Sequence, residues 1–556
     1  MTLSEWFLVF LVVQCVHFLG TWKLYKIAGR KSWEAAVPIY NAYVLTKIMS
    51  RHWAWVILLF IPVVNLIMLP IYWVETIRSF GKNRTIDTLL VVLTLGGYIY
   101  YLNYFDTNLV HVKERSLVPK TSTGEWVNSI LYAIVAATLV HTYVMQPFTI
   151  PTSSLEKTLL VGDYLFVSKF HYGARLPMTE VSFPMVHDTI PIAQKRSYLK
   201  KPQIPYFRLP GFQKVKRSDI VVFNWPCDTV TQFFVKNGIR ADKPIDKKSN
   251  YVKRCVGIAG DTLQITDGKV FVNNKPLQLP QKAKPQYSYK VVSNGEPLNL
   301  WALYKKYDLT DRIEYRVKDR SNRVLSTAIT YNSQYGRDAA IKSVDNIYYF
   351  SALTENAADR LSKNRNIISV TRVVTPKSVS HGNYIFPNNG YGNWNQDQMG
   401  PLYIPKKGAS ISLTTENLEI YRRVIEIYEG EEMGSKQELA IQDGKVLLNN
   451  SPITTYTFKQ DYYWMMGDNR HSSEDSRYWG FVPENHIVGK PVFLFFSKDK
   501  NASSFKESIR WDRIMTTVGG DGKLFSYKYW VLALLVLYVI GTKIWYSRKQ
   551  KMNEYE

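Results

Sequence analysis

The sequence predicts a multi-span α-helical membrane region joined to a mainly-β extracytoplasmic domain, and three observations carry that expectation. Apolar runs close to the ~20 residues of a bilayer-crossing helix recur at Glu5–Thr21, Trp53–Trp73, Thr88–Tyr104, Val127–Met145 and Tyr529–Trp545. Between Pro147 and Ser526 the texture changes to short Val, Ile, Tyr and Phe runs divided by Gly, Asn-Asn and Asp-Gly turns, as in SDIVVFNWP and DTLQITDGKVFVNNKPL. Basic residues gather in loops, with six Lys or Arg in Lys23–Arg51, which the positive-inside rule assigns to the cytoplasm. At 556 residues the chain is also too long for one compact core.

Residues 1–126 read as an N-terminal membrane region of about three spans. The first run lacks a basic stretch before it and a small-residue cleavage site after it, so it is expected to stay on the chain. A cytoplasmic Lys23–Arg51 loop puts the N-terminus outside. Arg78, Lys82 and Arg84 in loop Glu75–Asp87 would then face outward, unless one flanking run is re-entrant or interfacial. Residues 127–146 form a span running outward, because Lys113, Arg115 and Lys120 precede it. Residues 147–526 form the β-domain, with a polar insertion at about 282–372, and residues 527–556 a last span with a basic cytoplasmic tail. Within the β-domain Asp267–Leu277 recurs as Asp443–Ile453 with seven of eleven positions identical, which reads as two related hairpins, since a solenoid needs at least three copies.

The net charge of +24 is scattered and accompanies no zinc-finger, helix-turn-helix or basic-zipper pattern. An anionic bilayer surface accounts for it, and no nucleic-acid partner is expected. Three cysteines exclude a disulfide scaffold and a four-Cys metal site. Cys227 and Cys255 either pair outside the cytoplasm or remain free thiols, the second being the expectation.

Three stretches carry chemistry. QPFTIPTSSLEKTLLVGDYLFVSKF begins where a span ends and holds Ser154, a candidate nucleophile at the bilayer surface. Alone it also reads as a turn capped through Ser153 and Glu156. YVKRCVGIAGD places Lys253 and Arg254 on opposite faces of one strand. Arg cannot act as a base, whereas a buried Lys sharing a face with Tyr251 and Cys255 loses its proton readily. Alone, Lys253 also reads as a side chain snorkelling from a strand edge. GDNRHSSEDSRYWG supplies opposite charges, Asp468, Arg470, Asp475 and Arg477, that can lock a loop, with Ser472 or Ser473 to orient an amine.

Taken in order with SDIVVFNWP, these boxes resemble the type I signal peptidases, or leader peptidases, a Ser/Lys-dyad serine protease family. The resemblance implies a catalytic β-domain of the signal peptidase type, with Ser154 as nucleophile and Lys253 as general base. It further implies that Ser473 orients Lys253, that Asp475 and Arg477 support the loop, and that Thr152 with the Ser154 backbone N–H forms the oxyanion hole. Phe148, Ile150, Leu155, Leu165, Tyr251 and Val252 would wall shallow substrate pockets. The implied activity is removal of signal peptides after small residues, on the extracytoplasmic side of the inner membrane, from exported preproteins. No cofactor or metal is implied; the bilayer is a partner, and the secretion machinery a neighbour. Leu155 and Lys157 depart from the family's usual Met and Pro, so the backbone after the nucleophile is expected to differ. The resemblance leaves out the insertion and the early spans. Separately, AGRKSWEAAVPIYNAYVLTKI resembles a small multi-spanning domain of unknown function.

Other readings fail on missing residues. Ser154-x-x-Lys157 matches the acylating motif of penicillin-binding proteins, but no Lys-Thr-Gly accompanies it. None of the nine His forms His-Glu-x-x-His, and no Ser sits in a Gly-x-Ser-x-Gly elbow. A non-catalytic membrane-anchored scaffold is the alternative of another class, and it gives no reason for Lys and Arg in an apolar strand.

Overall fold

The computed structural model describes residues 2–553 except 120, 232–237, 239, 308, 310, 320, 331–339, 382–383, 390, 500–501, 503 and 523–524. Two compact units emerge, one of Met1–Met145, Ala174–Pro210 and Asp228–Lys248, the other of Gln146–Gly173, Gly211–Cys227 and Ser249–Glu556.

In the first unit, helix α1 (Leu3–Ile27) starts at a capping box in which Thr2 and Glu5 satisfy each other's backbone N–H groups. Helix α2 (Ser122–Leu139) continues to Val144 as a π turn. With α3 (Lys528–Asn553) of the second unit, these are the three helices among the described residues that are long and apolar enough to cross a membrane. Two expected spans are interrupted. Trp53–Trp73 breaks between Ala54–Leu58 and Val64–Arg78, where Pro62 withholds a backbone donor and Val63 turns to φ 70°. Thr88–Tyr104 bends by 115° between Thr85–Leu93 and Gly97–Phe105, with Leu95 at φ 50° and Gly96 at φ 86°. Neither flank of the awkward loop Glu75–Asp87 is therefore one straight span. Its basic residues are held locally, Lys82 on Asp106 at 2.6 Å and Arg78 near Glu75 at 3.6 Å.

Residues 174–210 and 228–248, read from sequence as β-domain, group instead with the N-terminal region. They form an irregular ribbon stitched by single bridges such as Thr179↔Gln203 and Ser182↔Tyr198, too sparse to join a sheet. Asp246 fixes its middle by accepting from the Met178 and Thr179 N–H groups and the Thr179 hydroxyl.

The second unit is built on an eight-stranded sheet. Its strands are β1 (Met145–Thr149), β2 (Asp163–Ser168), β3 (Ile220–Asn224), β4 (Asn250–Gly257), β5 (Tyr462–Met466), β6 (Val482–Pro483) and β7 (Ile487–Ser497), in the order β1-β2-β7-β3-β4-β5-β6, with Thr516–Thr517 added to β7. Strands β3 and β5 are nearly all apolar and buried on both faces, and β4 between them buries Lys253 and Arg254 as well. The insertion carries its own antiparallel five-stranded sheet and a separate core around Val291, Leu300, Tyr348 and Leu361, so its polar surface concealed a folded module.

The repeated segments fold alike down to single hydrogen bonds. Ile265↔Val270 and Ile441↔Val446 are equivalent pairs, and Asn273 and Asn449 each donate a backbone N–H back to the first strand of their own hairpin, at 2.8 and 2.9 Å. Both turns need left-handed backbone at two successive residues, supplied by Asp267-Gly268 (φ 50° and 73°) and Asp443-Gly444 (φ 50° and 70°).

Candidate active site

Ser154 sits in the short 3₁₀ turn Ser153–Leu155 between β1 and β2, buried with Leu155. The capping-box reading of this turn is not realised: Thr152 stands at the cap, no side chain caps the turn, and Glu156 N–H donates to the Ser153 carbonyl. Lys157, just beyond the turn, stands at φ 68°, which a proline ring cannot adopt.

Lys253 lies in β4, paired with Val221 of β3, and is 3% exposed. Burial pushes its ammonium down to about 8, against the opposing fields of Asp475 and Glu474. Its Nζ stands 5.4 Å from the Tyr251 ring centre. No hydrogen bond joins Lys253 to Ser154 in this structure; catalytic hydrogen bonds commonly tighten only once substrate is bound.

The next residue behaves oppositely. Arg254 donates to both carboxylate oxygens of Asp468, at 2.7 and 2.6 Å, and to the Ser218 carbonyl at 2.8 Å. Burial alone would raise the Asp468 carboxyl, and the Arg254 guanidinium outweighs it, holding that carboxyl below its ordinary range. The sequence suggested that the charges of the loop would pair among themselves. Only Asp475 and Arg477 do, at 2.9 Å; Asp468 reaches across to β4, because the register Met466↔Arg254 sets it beside that strand.

The Gly467–Gly480 loop gathers the site. Asn469 donates its N–H to the Ser154 carbonyl at 3.1 Å and its side-chain amide to the Ser153 carbonyl at 3.3 Å. Thr158, four residues beyond Ser154, donates to Asp468 at 2.6 Å. Ser473 is buried and its hydroxyl has no partner, so the implied bond to Lys253 is not formed here. A Cβ on Gly467 would collide with both Ser473 Oγ and the Ser154 carbonyl, so only glycine lets these groups approach. Asp475 holds the Gly467 N–H at 3.0 Å, which explains its place in the loop.

Of the expected pocket walls, Ile150, Leu155, Leu165 and Val252 share one buried cluster, and Phe148 joins Val252 in an adjoining one. Tyr251 parts from them. It packs with Trp225 and Trp479 on the opposite face of β4, as the alternation of side chains along a strand demands. Leu159, Ile220 and Leu494 complete the first cluster. Leu159 was legible as the residue four after Leu155, to whose carbonyl its N–H donates at 2.8 Å.

The insertion grips the same loop, a contact nothing in the sequence announced. Gln286 exchanges backbone bonds with Asp468 and Arg470, at 2.8 and 3.0 Å, and its amide donates to the Glu156 carbonyl at 3.1 Å. Asp311 accepts from the Ser472 hydroxyl at 2.5 Å. His471 faces Ser288 and Asp397, which leaves it a structural residue. Cys227 and Cys255 are not joined by a disulfide.

Residues 123–330 and 406–496, more than half of the chain, match the family described as "Signal peptidase, peptidase S26". The chain belongs to that family. It is accordingly a serine endopeptidase that removes signal peptides from preproteins. The match corrects one boundary, since it runs into the insertion as far as residue 330. Signal peptidase I of Haemophilus influenzae is 23% identical over 464 residues, 80% of this chain and 95% of that protein. That of Buchnera aphidicola from Acyrthosiphon pisum is 24% identical over 376 residues, 68% and 76% of the two chains. That of Rickettsia massiliae is 30% identical over 164 residues, 30% of this chain and 48% of the relative. Residues 33–110 match a family of unknown function, DUF5684.

Proposed function

We propose that Ser154 is the nucleophile of this peptidase and Lys253 its neutral general base. The observation that carries the assignment is the burial of Lys253 without a hydrogen-bonded carboxylate, which brings its proton affinity to about 8, within reach of neutral pH. Ser154 Oγ attacks the scissile carbonyl as Lys253 Nζ takes its proton. The tetrahedral oxyanion forms beside the Ser154 N–H and Thr152. Collapse expels the new amino terminus of the mature protein, protonated by Lys253, and leaves an acyl group on Ser154. Water, deprotonated by the same amine, then releases the signal peptide.

Ile150, Leu155, Leu159, Leu165 and Val252 pack into one buried apolar cluster next in sequence to Ser154, so the reading includes cleavage after a small residue by steric exclusion of larger ones. Lys253→Arg keeps the charge but cannot accept a proton. It should cleave a purified preprotein no faster than Ser154→Ala, at least 10²–10⁴-fold below wild type, and Phe just before the scissile bond should block the wild type. Robust cleavage by the Arg variant would remove Lys253 from the mechanism.

The catalytic unit is proposed to face the extracytoplasmic side of the inner membrane, close to the secretion machinery. Support comes from the basic loops before α2 and from Arg548, Lys549 and Lys551 in the last turns of α3. Reporter fusions after residues 125 and 300 should report opposite sides, and matching sides would defeat this orientation.

A further inference from the structure

A cavity of about 310 Å³ opens beside the nucleophile turn, away from β4 and its base. Lys157, Lys282 and Lys284 line it together with Arg513, and among the described residues no carboxylate does. Arg513 is already spoken for by Asp163, at 2.5 Å. Lys282 and Lys284 therefore set the sign of the cavity, opposed by carboxyls outside its lining, Glu156, whose charge Lys157 favours, and Asp521, which accepts the Gln281 N–H at 3.1 Å. Thr516 and Thr517 add hydroxyls to the rim, and Lys282 Nζ donates to Thr517 at 3.3 Å. Leu159, Leu494 and Val518 supply apolar lining.

This lining has two chemistries. Ammonium and hydroxyl groups select a phosphate-bearing anion, and the apolar side chains give an attached aliphatic chain somewhere to lie. The volume is at the lower end of small-ligand sites, the scale of a headgroup with its first carbons. Its position decides the source. Met515, next to the lining residue Thr516, accepts the Tyr527 N–H at 2.7 Å, and Thr516 bridges Ser526, immediately before α3. Phe525, Tyr527, Tyr529 and Trp530 are exposed there, the aromatic belt that marks the level of lipid headgroups.

We propose that this pocket binds the headgroup of an anionic phospholipid. The proposal rests on reading α3 as a membrane span and is independent of the Ser/Lys assignment. Leu159 belongs both to this pocket and to the cluster around Leu155, so a bound lipid would press on the wall of the substrate pocket.

The test counts lipids on the full chain in a neutral detergent by native mass spectrometry. Dioctanoyl phosphatidylglycerol should bind at one tight site, and the phosphatidylcholine analogue should not. Lys282→Gln with Lys284→Gln should weaken that binding by roughly 30-fold at low salt, at the strength of two lysines near an anionic surface. Preprotein cleavage in lipid-free detergent should stay at the wild-type rate, which shows that this variant folds and keeps the outcome separate from the dyad. Lys282→Arg with Lys284→Arg should retain the lipid. Equal affinity in the Gln variant, or equal affinity for the choline lipid, would overturn the proposal. Displacement of the lipid by inorganic phosphate at matched concentration would overturn the lipid assignment in favour of a free-anion site.

Discussion

The two faces of strand β4 bury adjacent cations to opposite ends. Arg254 and Asp468 are each at most 1% exposed, and the guanidinium meets its carboxylate through two parallel hydrogen bonds. Lys253, one residue away, meets the edge of an aromatic cluster, and the nearby charges of Asp475 and Arg477 are already spent on each other. Burial with a matched partner fixes a charge in place, and burial without one makes the charge easy to lose. The strand thus carries an anchor and a proposed base made from similar residues, distinguished by what faces each. Arg is suited to the first role because it does not deprotonate, and Lys to the second because it does.

Breaking the anchor should have the larger effect on the protein itself. Asp468→Asn leaves Arg254 charged and uncompensated, and removing one partner of a buried pair costs about 3–5 kcal/mol. Denaturant unfolding should read that loss. Replacing both partners together, Arg254→Met with Asp468→Leu, should recover much of the stability, because apolar residues of similar size can fill such a site. Activity should not return with it, since Asp468 also accepts from Thr158 and its neighbour Asn469 holds the Ser154 carbonyl. The pair should also weaken in acid. The folded Asp468 carboxyl lies below its ordinary range, so its contribution is full above the unfolded carboxylate pKa and is lost as pH falls through the folded one. A single-residue loss below 1 kcal/mol in Asp468→Asn would show that the loop, not the ion pair, holds this face.

Much of this arrangement was legible in the chain because its signals are local. Period-2 alternation separated Lys253 from Arg254, and paired Asp-Gly and Asn-Asn turns announced two equal hairpins whose registers coincide. The boxes were legible as a family pattern. What was lost depended on distance. Asp468 finds Arg254 across 214 positions, and Gln286 reaches Glu156 across 130, and no periodicity reports such pairs. Hydropathy missed the breaks in two runs for a related reason: it averages over a window and does not register one proline or a left-handed residue that bends a run, as at Val63 and Leu95. The insertion escaped because its core is made of Tyr and Leu spaced among charged residues, which keeps its average polar.

The base side of the comparison is sharpened by Ser473. Its hydroxyl is buried and unpartnered beside Gly467, in a fully packed region where an orphan polar group costs roughly 1–3 kcal/mol. A purely structural serine would gain by becoming alanine. If the hydroxyl instead orients the Lys253 amine during the reaction, Ser473→Ala should be at least as stable as wild type and yet slower. The loss expected of an orienting group is roughly 10–100-fold, the range seen for such partners at metal sites. It should fall on kcat with KM little changed, because Ser473 is not one of the apolar walls clustered around Leu155. The acid limb of kcat/KM should remain near pH 8, since desolvation is the main cause of the lowered Lys253 affinity and the substitution leaves the site buried. The rate should rise through that pH as the amine loses its proton. Ser473→Thr, which keeps the hydroxyl, should recover part of the rate. A Ser473→Ala enzyme that is more stable and equally fast would return Ser473 to the scaffold and leave Lys253 oriented by its strand alone.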